Sequence, residues 1–203
     1  MSRTPDPPQR RQRLSPEVRR ARMVEAAALQ ALEQGSLPIS PEAIARQVGV
    51  SKALVYSYFP TQHDLLNALL LYCLRDLEQD GLEAALAGPC LETVAVDTAL
   101  IYFEHVARRG ALLHLLMSDL YMAGHLNPEV VRIRDGAYLR LGRLVRRELR
   151  LEPKANLLAI NLVMTIPEEA GRRVFSGDMD REAGRALCRQ LTASAVRGLK
   201  PGG

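Results

Sequence analysis

At 203 residues, with 47% apolar and 25% charged side chains, the chain has the composition of a soluble globular protein with a buried core, not of a disordered segment. The formal charge of +4 is unevenly placed: residues 1–60 hold nine basic side chains against five acidic ones, and the remainder balances. The excess therefore stands in the first third, where a polyanion would be met.

Residues 1–13 combine three prolines with Arg and Gln and offer nothing to bury, so a disordered basic arm is expected, touching DNA or free of it. Ser15, Pro16 and Glu17 form a helix start, and an apolar stripe through Val18, Met23, Ala26, Ala27 and Leu32 carries that helix to about Gly35. Ser40-Pro41-Glu42 repeats the start signal, and Gly49 stops the second helix after about two turns. Ser51 caps a third that Pro60 ends near Tyr58 or Phe59, and Thr61 with Asp64 forms a capping box for a fourth.

Beyond Thr61 the pattern is helical throughout, over about 62–86, 90–108, 111–122, 128–150, 154–175 and 179–198, with no strand period. Pro167 inside the fifth of these removes a backbone donor, so a kink or break is expected, with Thr165 and Glu168 able to cap a restarted helix. The domain reading is an arm at 1–13, a DNA-binding unit at 14–60 and a helical body at 61–203.

The most apolar stretch, Leu65 to Leu74, is about half the length that crosses a bilayer. Met1 to Arg13 lacks the apolar segment of a secretory signal. The expectation is a cytoplasmic protein with no membrane partner. Cys73, Cys90 and Cys188 lack the paired spacing of a metal or redox motif and read as reduced, buried thiols. No metal and no cofactor are expected.

Ser40 to Phe59 has the requirements of a helix-turn-helix. Ile44, Ala45 and Val48 supply an inner face, Gly49 a turn at positive φ, and Val50, Val55 and Phe59 the remaining core positions. The opposite stripe turns Lys52, Ala53, Tyr56 and Ser57 outward. Lys52 can donate to a guanine edge or a phosphate, Ala53 permits approach to a thymine methyl, and Tyr56 and Tyr58 offer hydroxyls to phosphate oxygens. Ser40 and the free N–H groups of its helix start can hold a further phosphate. Any two capped helices joined at glycine share the bare pattern.

The run Ile44-Ala45-Arg46-Gln47-Val48-Gly49-Val50-Ser51-Lys52-Ala53-Leu54-Val55-Tyr56-Ser57-Tyr58-Phe59, followed by Asp64-Leu65-Leu66, closely resembles the signature of the tetracycline-repressor (TetR) family over about 45 residues. The resemblance implies an all-α dimer with an N-terminal three-helix DNA head and a C-terminal body that binds ligand. It also implies repression relieved by a small molecule. Residue by residue it places Lys52, Ala53, Leu54, Ser57 and Tyr58 in the groove and Tyr56 on a phosphate. Two departures stand out: Ala53 where glycine is frequent, and Gln62 where a lysine usually meets a phosphate at the start of the fourth helix.

By the same resemblance, 154–175 and 179–198 match the dimerisation helices. Leu157, Leu158, Val163 and Ile166 form one stripe, and Ala183, Leu187, Leu191, Ser194 and Ala195 another, although an internal core would have the same pattern. A dimer suits a palindromic operator in double-stranded DNA. For the effector, His114, Met117, Ser118, Tyr121 and His125 share one face if their helix continues, and Tyr102, Phe103, His105 and Met164 can join them. Plain core is the alternative for that stripe. A metal site at His105, His114, Asp119 and His125 lacks the i, i+4 spacing.

No phosphate loop, nucleophile elbow or catalytic constellation is present, so no enzyme and no catalytic residue are expected. The competing class is a helical scaffold whose helix-turn-helix binds protein. Ligand identity, operator sequence and the choice between repression and activation are not legible in the residues.

Overall fold

The computed structural model describes residues 15–200, and the expected arm at 1–13 lies outside them. The described elements are helices: α1 (Pro16–Gln34), α2 (Pro41–Val48), α3 (Lys52–Tyr58), α4 (Gln62–Gln79), α5 (Leu82–Leu86), α6 (Leu91–Arg109), α7 (Leu112–Ser118), a 3-10 turn (Leu120–Met122), α8 (Pro128–Leu149), α9 (Pro153–Phe175) and α10 (Arg181–Gly198). There is no strand among the described residues, so the all-α class stands. None of these helices is long and apolar enough to cross a membrane.

The starts are built as their residues dictate. The hydroxyl oxygens of Ser15, Ser40, Ser51 and Thr61 each accept the N–H three residues on, and Asp64 accepts the Thr61 N–H in return at 2.9 Å. Each such cap contributes about 1 kcal/mol. Gly49, at φ 74, closes α2; a side chain there would meet no atom within 4 Å, so backbone conformation and not space demands glycine.

Two segments read as single helices are divided, and the helix break considered at Pro167 does not occur. The segment 62–86 is two helices, because Gly81 adopts φ 96 and turns the chain between α4 and α5. The segment 111–122 stops at Ser118, where Asp119 goes extended and its carboxylate accepts the Tyr121 N–H at 2.8 Å to start the 3-10 turn. In contrast, α9 runs unbroken through Pro167, and the Thr165 hydroxyl donates to the Leu162 carbonyl at 2.7 Å instead of capping a new helix. Cys73 and Cys188 are buried, with burial pushing their thiols up to about 12 and about 11; Cys90 is half-exposed at the N-cap of α6, contrary to expectation.

One apolar core joins the head to the body. Met23, Ala27 and Ala31 of α1, Ile44 of α2, Val55 of α3 and Phe59 meet Leu65, Leu66 and Leu69 of α4, and the same cluster continues to Leu112, Leu116, Met122 and Val130. Burying each large aliphatic side chain here stabilises the fold by about 1.5–3 kcal/mol. Behind it, α6, α9 and α10 pack against one another most closely of all the helices. The closeness depends on Gly171: a Cβ there would lie 2.7 Å from the Val106 Cβ and 2.9 Å from the Phe103 carbonyl oxygen.

Candidate nucleic-acid interface

Helix α3 is held by its inner face and presents its outer one. Val55 and Phe59 are 1% and 3% exposed, while Lys52, Ala53, Tyr56 and Ser57 are exposed. Val50 was expected to be buried and is only half so; it packs on the edge of the core where α2 turns into α3. Leu54 and Tyr58, placed in the groove by resemblance, are half-buried against the same core. The Tyr58 hydroxyl lies 3.5 Å from an Arg19 guanidinium nitrogen of α1, so its polar tip still reaches the rim.

The polar tips in the free protein are engaged locally. The Lys52 ammonium pairs with the Glu42 carboxylate of α2 and lies 5.7 Å from the Tyr56 ring centroid. Their hydrogen bond holds the Glu42 carboxyl below, and the Lys52 ammonium above, its ordinary range. The Ser57 hydroxyl donates to the Leu54 carbonyl at 2.7 Å, and the Ser40 oxygen accepts the Ala43 N–H at 3.2 Å. Arg20 of α1 lies 5.0 Å from the Phe59 ring centroid. The approach of Arg19, Arg20 and Glu42 to α3 and its end was not legible in the sequence, because it depends on how the helices cross.

Gln62 begins α4 half-buried, with its side-chain oxygen 3.4 Å from the Tyr121 hydroxyl of the body. Next to it His63 stacks between Tyr121 and His125, at centroid distances of 4.5 and 3.9 Å, and its Nε2 donates to the Tyr121 carbonyl at 3.1 Å.

The residues expected to line an effector pocket do not converge. Tyr102, His105 and His114 belong to a polar network: His105 Nδ1 lies 3.1 Å from Asp76, His114 Nδ1 2.9 Å from Glu168, and the Tyr102 hydroxyl 3.5 Å from Glu168. Burial holds the His105 imidazole below its usual range despite Asp76, and burial followed by Glu168 raises the Tyr102 phenol. Met117 packs on the head core, and Tyr121 belongs to the stack on α4. Met164 lines a separate apolar slot between α6, α8, α9 and α10. The break at Ser118 separates Tyr121 and His125 from the face that carries His114 and Met117. No cluster of three metal-ligating side chains occurs among the described residues.

A short, capped third helix locked on a three-helix core, with its polar face outward, defines a helix-turn-helix on an all-α body. Residues 24–69 match the family described as bacterial regulatory proteins, tetR family. The head therefore carries the match to that family, and the all-α fold accords with it.

It is 38% identical over 74 residues to the HTH-type transcriptional regulator BetI of Agrobacterium fabrum, and 39% identical over 71 residues to that of Rhizobium meliloti. These stretches cover 36% and 35% of each chain, so the match spans about a third of the length of these curated relatives. Among solved structures, a TetR-like transcriptional regulator from Rhodococcus sp. RHA1 aligns with 92% of this chain and 100% of its own, at TM-score 0.67 and 21% identity. The TetR family regulator PfmR from Thermus thermophilus aligns with 89% and 100%, at TM-score 0.64 and 21% identity. A TetR variant from Acinetobacter baumannii in complex with minocycline aligns with 92% and 96%, at TM-score 0.58 and 14% identity. These curated relatives are named as regulators, not as enzymes.

Proposed function

We propose that the chain is a sequence-specific DNA-binding transcriptional regulator, a repressor released from a palindromic operator by a small, partly apolar ligand. The observation that carries the reading is the outward face of α3, where Lys52, Ala53, Tyr56 and Ser57 stand exposed on a helix whose other side is fixed by Val55 and Phe59. A rigid helix with one free polar face can enter the major groove without reorganising. Head at 14–60 and body at 61–203 are the working division, with α4 shared between them through the common core.

A homodimer is part of the proposal. Leu157, Leu158 and Leu162 of α9 and Leu187 and Leu191 of α10 are 43–69% exposed, an apolar face that a two-fold copy would cover. The test is a gel shift with duplex DNA from upstream of the chain's own gene, at several salt concentrations, alongside sedimentation. A sequence-selective complex of two chains per site is expected, and Lys52→Ala is expected to alter base preference if the lysine reads a base. A chain that binds all sequences alike, or none, would refute the reading.

A further inference from the structure

The charges of residues 61–203 balance in number, but they are not evenly mixed. Between 128 and 150 seven arginines stand against three acids, Glu129, Asp135 and Glu148, and no lysine occurs there. Packing sorts the arginines into two sets. The inner side of α8 is fixed by the buried Val130, Val145 and Leu149. Steps of seven, four, three and four residues place Arg132, Leu139, Arg143, Arg146 and Arg150 on one line along the opposite side, all of them exposed. Off that line, Arg134, Arg140 and Arg147 pair with Asp135, Glu83 and Glu148. The three acids of the segment are thus engaged, Glu129 by Arg75 and the others by Arg134 and Arg147. The four guanidinium groups on the line have no hydrogen bond or ion pair among the described residues.

Four unpaired cations on one face repel one another. The helix dipole favours Arg146 and Arg150 at the C-terminal end of α8, but its effect fades within that turn and does not reach Arg132 or Arg143. A stripe of about 27 Å from first arginine to last is complementary to an extended polyanion. Leu139, 60% exposed, is its one apolar side chain, too little to anchor a folded protein or to enter a bilayer.

We propose that the outer face of α8 is a second nucleic-acid surface, which grips the phosphate backbone of duplex DNA and reads no sequence. A guanidinium fork matches two phosphate oxygens. Duplex DNA carries one charge per about 1.7 Å of its axis, so each arginine meets a phosphate in any register. No Asn, Gln, Ser or Thr occurs in α8 to bond a base edge. The stripe also leads away from α3. Helix α8 starts beside α4, at the Asn127–Asn67 hydrogen bond, and ends where Glu148 accepts the Leu91 N–H at the start of α6; the other end of α6, at Gly110, is the one that meets Leu32 of α1. Arg143, Arg146 and Arg150 therefore lie at the end of the body remote from the head, where they can hold a separate duplex segment.

The test compares four full-length chains: native, a head variant (Lys52→Ala with Tyr56→Ala), a stripe variant (Arg143→Gln, Arg146→Gln and Arg150→Gln), and the two combined. Each is titrated with a short labelled duplex of arbitrary sequence over a range of salt, followed by anisotropy. The head variant should retain salt-dependent binding. Adding the stripe substitutions to it should flatten the plot of log affinity against log salt by about 2.7, three phosphate contacts at about 0.9 each. Lysine at the same three positions should restore the slope. Gln at Arg134, Arg140 and Arg147 removes the same charge from the same helix, where each arginine already has an acid, and should flatten the slope by less than one contact. Arg and Gln are close in helix propensity, so the melting temperature should hold in both sets. Equal flattening by the two sets would mean that net charge alone matters and would overturn the surface. So would tighter capture of poly-glutamate or of anionic lipid vesicles than of DNA by the head variant. If the stripe substitutions weaken binding and the head substitutions do not, the reading of α3 fails and the stripe stands; the converse strikes the stripe and leaves the head.

Discussion

The amide of Asn67, near the start of α4, and the backbone of Asn127, the N-cap of α8, are joined by a hydrogen bond from the Asn127 N–H to the Asn67 Oδ1 at 2.9 Å. The Asn67 amide nitrogen also donates to the His63 and His125 carbonyls, each at 2.8 Å, so a side chain only 6% exposed meets three backbone groups. With the His63–Tyr121–His125 stack, this fastens the helix that leaves the DNA head to the loop before α8. Replacement by leucine keeps the volume and strands all three partners. Asn67→Leu is expected to lower stability by about 3 kcal/mol, measured by urea unfolding; a loss under about 1 kcal/mol would show that water replaces the amide.

Lys52 and Glu42 answer to the same logic at the surface. The pair is half-exposed on both sides, so it adds little to stability, but it occupies the ammonium that the groove would use. Glu42→Gln is expected to tighten binding to all duplexes and to leave the melting temperature within a degree or two. Fluorescence anisotropy on specific and unrelated DNA decides it, and unchanged affinity on both would mean that Lys52 does not face DNA.

Gln62 supplies no charge at the start of α4, and its carbonyl oxygen faces the Tyr121 hydroxyl. Gln62→Lys should strengthen binding at every sequence and steepen the plot of log affinity against log salt by about 0.9, the value of one added phosphate contact. An unaltered slope would place residue 62 away from the backbone of the duplex.

Gly171 is where α9 comes closest to α6, and a methyl group added there meets Val106 and the Phe103 carbonyl inside 3 Å. Gly171→Ala should therefore cost about 1–3 kcal/mol through overpacking, despite the better helix propensity of alanine. Gly142→Ala in α8, with open space around its Cβ, is the control and should be neutral or stabilising. Paired thermal melts of the two variants make the comparison.

Acid should loosen the junction of α4 and α6. Burial lowers the His105 imidazole below its ordinary 6.5. Burial alone would raise Asp76, but hydrogen bonds from Arg108 and His105, with Arg109 nearby, outweigh it and hold the carboxyl below 3.8. In both cases the unfolded chain binds its proton at higher pH than the folded one. Their stabilisation is complete above the unfolded values and is lost as pH falls from about 6.5 for His105 and about 3.8 for Asp76 toward the lower folded ones. His105→Phe should flatten the decline in melting temperature below pH 6.5. A decline of unchanged steepness would assign it to other groups.

The head was legible because its signals are local. Ser40, Gly49, Ser51, Pro60 and the Thr61–Asp64 box act within one turn of themselves, and α2, α3 and the start of α4 lie where those residues put them. The body was less so. Gly81 reads in sequence as a tolerable residue inside a helix, yet its positive φ divides α4 from α5. Pro167 reads as a kink or break, and α9, packed against α6 and α10, continues through it without a break.

By itself the sequence determined which segments are helices, which face of α3 is free, and the likeness of the head, since caps, periodicity and a short motif require no knowledge of distant neighbours. Tertiary structure decided the rest. Glu42 beside Lys52 and Asn67 across from Asn127 are relations between residues 10 and 60 positions apart, set by helix crossings that have no local signal. The expected pocket of Tyr102, His105, His114, Met117, Tyr121 and Met164 divides among three places for that reason: shared helical period says which side of a helix a residue takes, and only packing says what stands opposite it.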